Sequence, residues 1–287
     1  MIRAAYLTDE AIDRFISTAL QEDIGEGDHS TLGAVPAQKK SKAQLLIKDQ
    51  GVLAGVDLAV RIFNHYDKNL QVEVFKKDGD RVSKGEVAFT VAGTARSILS
   101  TERLVLNCMQ RMSGIATYTQ QLARLIEGTG AQLMDTRKTT PNFRLPEKWA
   151  VAIGGGVNHR FALYDMVMLK DNHIDMAGGI QAALANTRQY LQDTGKQLRI
   201  EVETRNLGEV EEVLRAGGAD VIMLDNMSTA DMKKAVALIA GRCQTEASGG
   251  ITESTLRQVA ECGVDFISVG ALTHSVKSLD LSLKAIR

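Results

Sequence analysis

Positive charge is concentrated between Arg137 and His173. This stretch holds six Lys or Arg residues against three acids, whereas the whole chain has a formal net charge of −1. Prolines, a triple glycine and an apolar run separate its basic residues, so they do not form the solvated face of one helix. Arginine binds planar carboxylates and phosphates through paired hydrogen bonds, and lysine contributes a compact charge. The pattern therefore predicts an inward-facing site for an anionic molecule. The basic residues and histidines of the stretch are Arg137, Lys138, Arg144, Lys148, His159, Arg160, Lys170 and His173.

The alternative for these cations is an ordinary role in surface salt bridges or at helix C-termini. That alternative stays open for Arg144 and Lys148, which flank LPE. Arg137, Lys138 and Lys170 instead close predicted strands, which favours a binding role for them.

Two acidic residues and two glycine-containing loops also follow predicted strands. Glu203 ends IEVE and Asp225 ends VIMLD. A carboxylate there can bind Mg²⁺, hold sugar hydroxyls or stabilise a developing cation, and the alternative is a buried acid paired with Lys or Arg. Alternation places Glu201 on the same side of its strand as Glu203, but the strand end favours Glu203. Residues 248–250 and 269–271 follow the last two strands, where βα barrels bind phosphate through backbone N–H groups.

The first hundred residues predict an α+β region with antiparallel strands. Thr8 is placed to cap a helix over residues 8–20, and GVDLAVRIFNHY has a helical pattern. The segments AQLLIKD and LQVEVFKKDGDRVSKGEVAFTVAG read as strands joined by turns. A long helix then runs from about Ser100 to Glu127, capped by Ser100 and Thr101 and broken or bent near SGIAT.

After Gly130 short β-rich runs alternate with amphipathic helices that end at glycine. Such alternation predicts a parallel sheet, because parallel strands need crossover connections. Function collects at the carboxyl ends of these strands in closed barrels and open sheets alike, and periodicity does not decide between the two. A doubly wound nucleotide-binding fold is disfavoured because neither GxGxxG nor a Walker A motif is present.

Composition limits the class of protein further. The chain of 287 residues is 44% hydrophobic and 24% charged, as in soluble globular proteins. It has no membrane-length apolar run and no signal peptide at its start, and a pI near 6.5 argues against general nucleic-acid binding. Three scattered cysteines predict reduced thiols and a cytoplasmic location. No HxH or HExxH spacing supports a zinc site.

Several motifs together resemble the quinolinate phosphoribosyltransferase family, also called nicotinate-nucleotide pyrophosphorylase (carboxylating). They are DTRKTTPNFR, EKWAVAIGGGVNHRFALYDMVMLKDNHI, EVET, MLDN, ASGGI and VGALTHS, with ALQEDIGEGDHST, GVLAG and TERLVLNCMQRMSGIAT earlier in the chain. The resemblance covers nearly the whole sequence. One local departure is Asn142, where many members have glycine after the proline; asparagine tolerates a left-handed backbone better than most residues, so we expect the loop to keep its shape.

The resemblance implies an α/β protein of two domains. An N-terminal α/β sandwich over residues 1–112, rejoined by the tail 275–287, accompanies an incomplete (open) βα barrel with parallel strands over residues 113–274. It also implies a homodimer with shared active sites, and in some members a hexamer. The implied reaction joins quinolinate and phosphoribosyl pyrophosphate, with Mg²⁺, to give nicotinate mononucleotide, pyrophosphate and CO₂ in NAD biosynthesis.

The resemblance also assigns roles to individual residues. It assigns anion binding to Arg137, Lys138, His159, Arg160 and Lys170. It places Ser248, Gly249, Gly250 and Gly270 in the loops that bind phosphate. Glu203 and Asp225 correspond to acids near the ribose and the metal. Lys138, Lys170, Glu203 and Asp225 are the predicted catalytic residues. Arg103 matches an arginine that reaches into the partner's site.

Three alternatives remain at this point. A paralogue associated with molybdate transport operons shares the fold but uses a different acceptor. Lys170, closing a strand, could form a Schiff base in an aldolase-like enzyme. A sensor of phosphorylated sugars would bind its ligand without turnover.

Overall fold

The computed structural model describes residues 4–286, so residues 1–3 of the predicted N-terminal domain and residue 287 of the predicted tail lie outside it. The described chain divides into two compact units. The first lies within 1–120, 138–155 and 271–287, and the second comprises 121–137 and 156–270.

The helices and strands alternate along most of the described chain. The helices are α1 (Asp9–Ile24), α2 (His29–Ala34), α3 (Val56–Tyr66), α4 (Ala95–Leu125), α5 (Arg144–Ile153), α6 (Asp171–Ala177), α7 (Ile180–Thr194), α8 (Leu207–Ala216), α9 (Thr229–Ile239), α10 (Glu253–Ala260) and α11 (Ala271–His274). The strands are β1 (Lys40–Ile47), β2 (Gly51–Val52), β3 (Gln71–Val74), β4 (Arg81–Val82), β5 (Val87–Thr94), β6 (Gln132–Met134), β7 (Val167–Leu169), β8 (Ile200–Thr204), β9 (Val221–Asp225), β10 (Gln244–Ser248), β11 (Phe266–Ser268) and β12 (Leu281–Ile286).

The first unit contains a four-stranded antiparallel sheet in the order β12-β1-β5-β3. Alternate residues of β1 are buried, as the period of a strand with one covered face requires. Phe63 of α3 meets Phe89 of β5 edge to face, with ring centroids 5.9 Å apart, in the core beneath the sheet. The predicted strands and the helix α3 are present, and Thr8 accepts a hydrogen bond from Ala11 N–H at the start of α1.

Helix α4 differs from its prediction. It starts at Ala95, immediately after β5, so Ser100 and Thr101 lie inside the helix and do not cap it. Thr101 is buried, and its hydroxyl donates to the carbonyl oxygen of Ser97 one turn earlier. The helix also runs unbroken through SGIAT to Leu125.

The second unit is built on a six-stranded parallel sheet in the order β6-β11-β10-β9-β8-β7. Residues 221–224 of β9 are all buried, as in a strand covered on both faces. The first two strands, β6 and β7, stand at opposite edges, and among residues 4–286 no strand pairing joins them. The sheet is therefore open, and the predicted α/β class with an incomplete parallel barrel is confirmed.

The connecting helices end largely as predicted. Gly217 follows α8 with a positive φ of 66°. At the end of α9 the left-handed position belongs to Ala240, one residue before Gly241. Within the described part of the chain, no helix combines the length and the apolar character that crossing a bilayer requires.

Candidate active site

Lys170 and Glu203 form an ion pair at the carboxyl ends of β7 and β8. Lys170 follows β7 directly and precedes α6, which puts it at the edge where the parallel strands end. Its Nζ lies 3.2 Å from Oε2 of Glu203. The Glu203 side chain is 11% exposed and that of Lys170 is 45% exposed, so the lysine is the member of the pair that faces solvent. Both predicted residues therefore share one place on the sheet.

Asp225 and Ser248 are the last residues of the neighbouring strands β9 and β10, and they are partners in the strand register. The next residue, Asn226, has a left-handed backbone with φ 52°. Its backbone N–H donates to the Ser248 carbonyl, and its side-chain amide donates to Asp225 Oδ2 over 2.7 Å. Asn226 thus orients the predicted acid, although the sequence analysis includes it only as the last residue of the MLDN motif and gives it no role.

Gly249 is required by both its backbone and its surroundings. It has φ 89°, and a Cβ at this position would lie 2.3 Å from Oδ1 of Asn226. Gly250 is also left-handed, with φ 60°. Gly270 comes two residues after β11 and directly before α11. The predicted loop residues of β10 and β11 therefore end neighbouring strands of the sheet.

Arg137 and Arg160 lie close enough for their charges to interact. Burial lowers the pKa of the Arg160 guanidinium, and the positive charge of Arg137 lowers it further, against the opposite influence of Glu201 and Asp165. Nη1 of Arg160 donates to the Met166 carbonyl, whereas its Nε is buried and makes no hydrogen bond. Two neighbouring cations with a buried, unsatisfied donor favour binding of an anion, which would offset their repulsion.

Arg137 lies three residues beyond β6, not at the end of the strand as predicted. The strand stops at Met134, and the following N–H of Asp135 donates to the Val157 carbonyl. The buried Asp135 carboxylate accepts from Asn158 Nδ2 and from the backbone N–H of His159. These hydrogen bonds join the DTR segment to the NHR segment, which brings Arg137 close to Arg160.

His159 is held by two buried acids. Its Nε2 lies 2.8 Å from Oε2 of Glu201 and 3.5 Å from Oε2 of Glu246. Its Nδ1 accepts from the backbone N–H of Arg160, which leaves the ring proton of a neutral imidazole on Nε2, directed at Glu201. Burial raises the pKa of Glu246 well above its usual range, and the neighbouring Glu201 raises it further. The protonated form of Glu246 is therefore favoured beside Glu201.

Sequence reasoning preferred Glu203 to Glu201 and did not single out Glu246. The three residues come from separate segments, so no short spacing signals them. Their ligand atoms lie within 4.8 Å of one another, as in a metal site. A metal ion bound at His159 Nε2 would need a free lone pair on that nitrogen. Because Nδ1 accepts a hydrogen bond, the ring proton of the neutral imidazole lies on Nε2 instead, so the cluster fits a hydrogen-bonded network better than a metal site.

Glu203 and Asp225 are the acids whose position suits Mg²⁺. They come from adjacent strands and are only partly covered. Mg²⁺ is commonly held by one or two carboxylates, with substrate phosphates and water completing its ligands. The donor set therefore fits that ion.

Other predicted residues belong to the first unit. Lys138 is exposed, and its carbonyl accepts from Thr273 Oγ1 over 2.8 Å. Arg103 is exposed on α4. Arg144 Nε donates to Thr139 Oγ1. Lys148 is fully buried in α5, so a surface salt bridge is the wrong interpretation of that lysine.

An open parallel sheet with cations, acids and glycine loops at its strand ends defines an α/β protein suited to a polyanionic ligand. The chain belongs to the quinolinate phosphoribosyltransferase family. The family model described as "Quinolinate phosphoribosyl transferase, C-terminal domain" matches residues 115–284. The family model of the N-terminal domain matches residues 28–113.

Named relatives resemble the chain over most of its length. The chloroplastic nicotinate-nucleotide pyrophosphorylase [carboxylating] of Arabidopsis thaliana is 49% identical over 284 residues, covering 94% of this chain and 81% of the relative. The probable nicotinate-nucleotide pyrophosphorylase [carboxylating] of Bacillus subtilis is 44% identical, and the match covers 91% of this chain and 89% of that relative. The crystal structure of NadC from Streptococcus pyogenes superimposes with a TM-score of 0.90 at 41% identity, covering 99% of this chain and 100% of that one.

Proposed function

We propose that the protein transfers the phosphoribosyl group of phosphoribosyl pyrophosphate to quinolinate, with loss of CO₂, to give nicotinate mononucleotide and pyrophosphate for NAD biosynthesis. Membership of the family and the names of the relatives support this reaction. The observation that carries it is the pair of neighbouring arginines, Arg137 and Arg160. The Nε of Arg160 is a buried donor that makes no hydrogen bond within the protein. A dianionic acceptor satisfies such a pair.

The basic residues have a common task in this reaction. A pyridine dicarboxylate and a sugar pyrophosphate must lie side by side although both are polyanions. A dense set of cations offsets their repulsion and orients each carboxylate. We assign this role to Arg103, Arg137, Lys138, Arg160 and Lys170, with Lys138 on a carboxylate of quinolinate. His159 binds Glu201 and the backbone N–H of Arg160 through its two ring nitrogens, so we assign it an indirect part in anion binding, through Arg160.

Transfer begins when the quinolinate ring nitrogen attacks C1 of the ribose and the bond from C1 to pyrophosphate breaks. The sugar carbon gains oxocarbenium character on the way, and a carboxylate from Glu203 or Asp225 stabilises it. Lys170 stabilises the anions and holds the Glu203 side chain through its ion pair. Ser248, Gly249, Gly250 and Gly270 present loop groups to the phosphates. Glu203 or Asp225 would hold Mg²⁺, which would supply positive charge that offsets the negative charge of the pyrophosphate.

Decarboxylation follows from the same alkylation. The ring nitrogen becomes positively charged, so the electron pair of the breaking bond between the ring and the adjacent carboxylate is drawn toward it. CO₂ leaves, the electron pair of the broken bond stays on the ring carbon, and that carbon takes a proton from water. No side chain has to act as a general base in the transfer step, so positioning and charge account for most of the catalysis.

We further propose that the active enzyme is a homodimer or a hexamer built from dimers, in which Arg103 serves the partner's site. The exposed position of Arg103 on α4 supports this assignment. A cytoplasmic location is also proposed, supported by three free cysteines among the described residues.

The test is an assay of the purified protein with Mg²⁺, phosphoribosyl pyrophosphate and quinolinate. Nicotinate mononucleotide and CO₂ are followed together, with nicotinate as the control acceptor. We expect equal amounts of both products from quinolinate and none from nicotinate. Binding of phosphoribosyl pyrophosphate without product would contradict the acceptor and direct the search to the acceptor of a paralogue. Trapping by borohydride with a carbonyl substrate would instead indicate a Schiff base at Lys170.

A further inference from the structure

Glu147 is a completely buried carboxylate that accepts four hydrogen bonds. Its Oε1 accepts from Arg111 Nε at 3.0 Å, from Arg111 Nη2 at 2.9 Å and from Thr140 Oγ1 at 2.9 Å. Its Oε2 accepts from the backbone N–H of Thr140 at 3.0 Å. A carboxylate has about four lone-pair positions, so Glu147 satisfies its acceptor capacity within the protein. No feature of the sequence singled out Glu147.

Arg111 connects Glu147 to residues 273–276, which lie at and just after α11. Its Nη1 donates to the Val276 carbonyl at 3.0 Å, and its Nη2 also contacts the Thr273 carbonyl. Thr273 in turn donates from its hydroxyl to the Lys138 carbonyl at 2.8 Å. The contacts therefore form a closed ring that returns to the Lys138 loop, which we define as residues 138–142.

The ring fixes the Lys138 loop at two points. Thr273 holds the backbone of Lys138, and Glu147 holds both the N–H and the hydroxyl of Thr140. The Lys138 side chain is left exposed. Buried ion pairs give little net stability after desolvation, yet they can select one conformation among several. We therefore interpret the buried contacts as fixing the position of Lys138 rather than as adding to the stability of the fold.

We propose that Glu147 is a positioning residue for quinolinate, which sets the backbone of the Lys138 loop so that the lysine meets a carboxylate of that substrate. This inference rests on the proposed function, in which Lys138 binds quinolinate. Arg111 and Thr140 are the other members of the same device. Phosphoribosyl pyrophosphate does not depend on Lys138 in this assignment, so the two substrates should respond differently.

The test is a comparison of KM values for the two substrates in Glu147→Gln. The glutamine keeps the shape but places an amide donor where donors already point. We expect KM for quinolinate to rise about tenfold, because a displaced binding group loses its hydrogen bond to substrate. KM for phosphoribosyl pyrophosphate should stay within about twofold. An equal rise in both, or unchanged KM with a smaller active fraction, would show a structural role and overturn the proposal.

A milder variant keeps the proposal open to test if Glu147→Gln does not fold. Thr140→Val removes one hydrogen bond to Glu147 and leaves the ion pair with Arg111 intact. We expect KM for quinolinate to rise about threefold, and an unchanged value in the folded protein would overturn the proposal.

The matched control is Asp67→Asn, in the same unit. Asp67 is a carboxylate that accepts hydrogen bonds from Thr94, Ser97 and Asn69, away from the Lys138 loop along the chain. The substitution should lower stability and leave both KM values unchanged. Failure of the parent protein to form nicotinate mononucleotide would reject the proposed function itself, whereas a normal parent with unaltered Glu147→Gln and Thr140→Val rejects only the positioning role.

Discussion

Asn142 is the residue with a left-handed backbone in the sharp turn of the Lys138 loop. Its φ is 61°, in the left-handed region that side chains other than glycine seldom occupy. Asparagine occupies this region more readily than most residues because its short polar side chain can bond locally. The turn leads directly into α5, which carries Glu147. The conformation of Asn142 therefore contributes to the geometry on which the Lys138 loop depends.

Replacing Asn142 tests this conformational requirement. Asn142→Ala should lower the free energy of unfolding by about 1 kcal/mol, because alanine carries the full left-handed penalty. Asn142→Gly should be close to neutral, since glycine accepts positive φ but loses more freedom on folding. Urea denaturation of the parent protein and the two variants measures the difference. Equal stability of Asn142→Ala and the parent protein would remove the left-handed residue as a source of strain.

Residues at strand ends could be predicted from the sequence, and buried partners could not. Lys170, Glu203 and Asp225 follow apolar runs, so their place on the sheet is visible in the pattern. Glu246 and Glu147 lie among ordinary strand and helix residues, and their burial becomes apparent only in three dimensions. A buried acid needs partners from distant segments, which no local spacing encodes. The roles assigned to individual site residues stay predictions.

Asp67 joins three elements at the end of α3. Its carboxylate accepts from Ser97 Oγ in the first turn of α4 at 2.7 Å and from Thr94 Oγ1 at the end of β5 at 3.0 Å. The Ser97 hydroxyl is the largest cause that lowers the pKa of Asp67, to about 2, followed by the N–H of Asn69. The charged form is therefore favoured in the folded protein, and it stabilises this junction.

The pH dependence of Asp67→Asn follows from that lowered pKa. A depressed folded pKa gives stability that is present above the unfolded value of 3.8 and is lost as pH falls toward 2. At pH 7 the substitution should cost about 1 kcal/mol, a value reduced for solvent screening. The gap between the two proteins should shrink steadily below pH 4. Denaturation at pH 7 and pH 3 measures it, and a constant gap would mean that the charge is not responsible.

The types of most elements could be predicted, whereas the limits of α4 could not. The SGIAT segment, residues 113–117, predicts a break or bend that the helix does not have. Instead, the Ser113 hydroxyl bonds the backbone of Ala54, and Thr117 Oγ1 accepts from Val52 N–H. Small polar residues here allow a neighbouring backbone to approach and satisfy its hydrogen bonds, so they do not end the helix. Periodicity cannot distinguish such a contact from a break.

Long-range strand pairing organises each unit of the molecule. In the second unit the first strand, β6, pairs with the last, β11, and in the first unit β1 lies between β5 and β12. The alternating pattern predicted a parallel sheet, but it could not specify which strands are neighbours or whether the sheet closes. Resemblance to the family supplied the expectation of an incomplete barrel.

The proposed sharing of sites between subunits can be tested by mixing two inactive proteins. Arg103→Ala and Lys170→Ala each damage a different contribution to the site. In randomly exchanged dimers half of the molecules are mixed, and each has one intact site, so activity should return to about a quarter of the parent value. Native mass spectrometry establishes that subunits have exchanged. No recovery after confirmed exchange would contradict a role for Arg103 across the dimer.

The pairing of β1 with β12 has a consequence for the newly made chain. Residues 40–47 leave the ribosome early, but one of the two edges of β1 finds its partner only when residues 281–286 have emerged. Until then that edge presents unpaired backbone groups, which favour association with other chains. Translation must therefore pass almost the whole sequence before the first sheet is complete, and a chaperone that shields this strand during synthesis would raise the yield of folded enzyme.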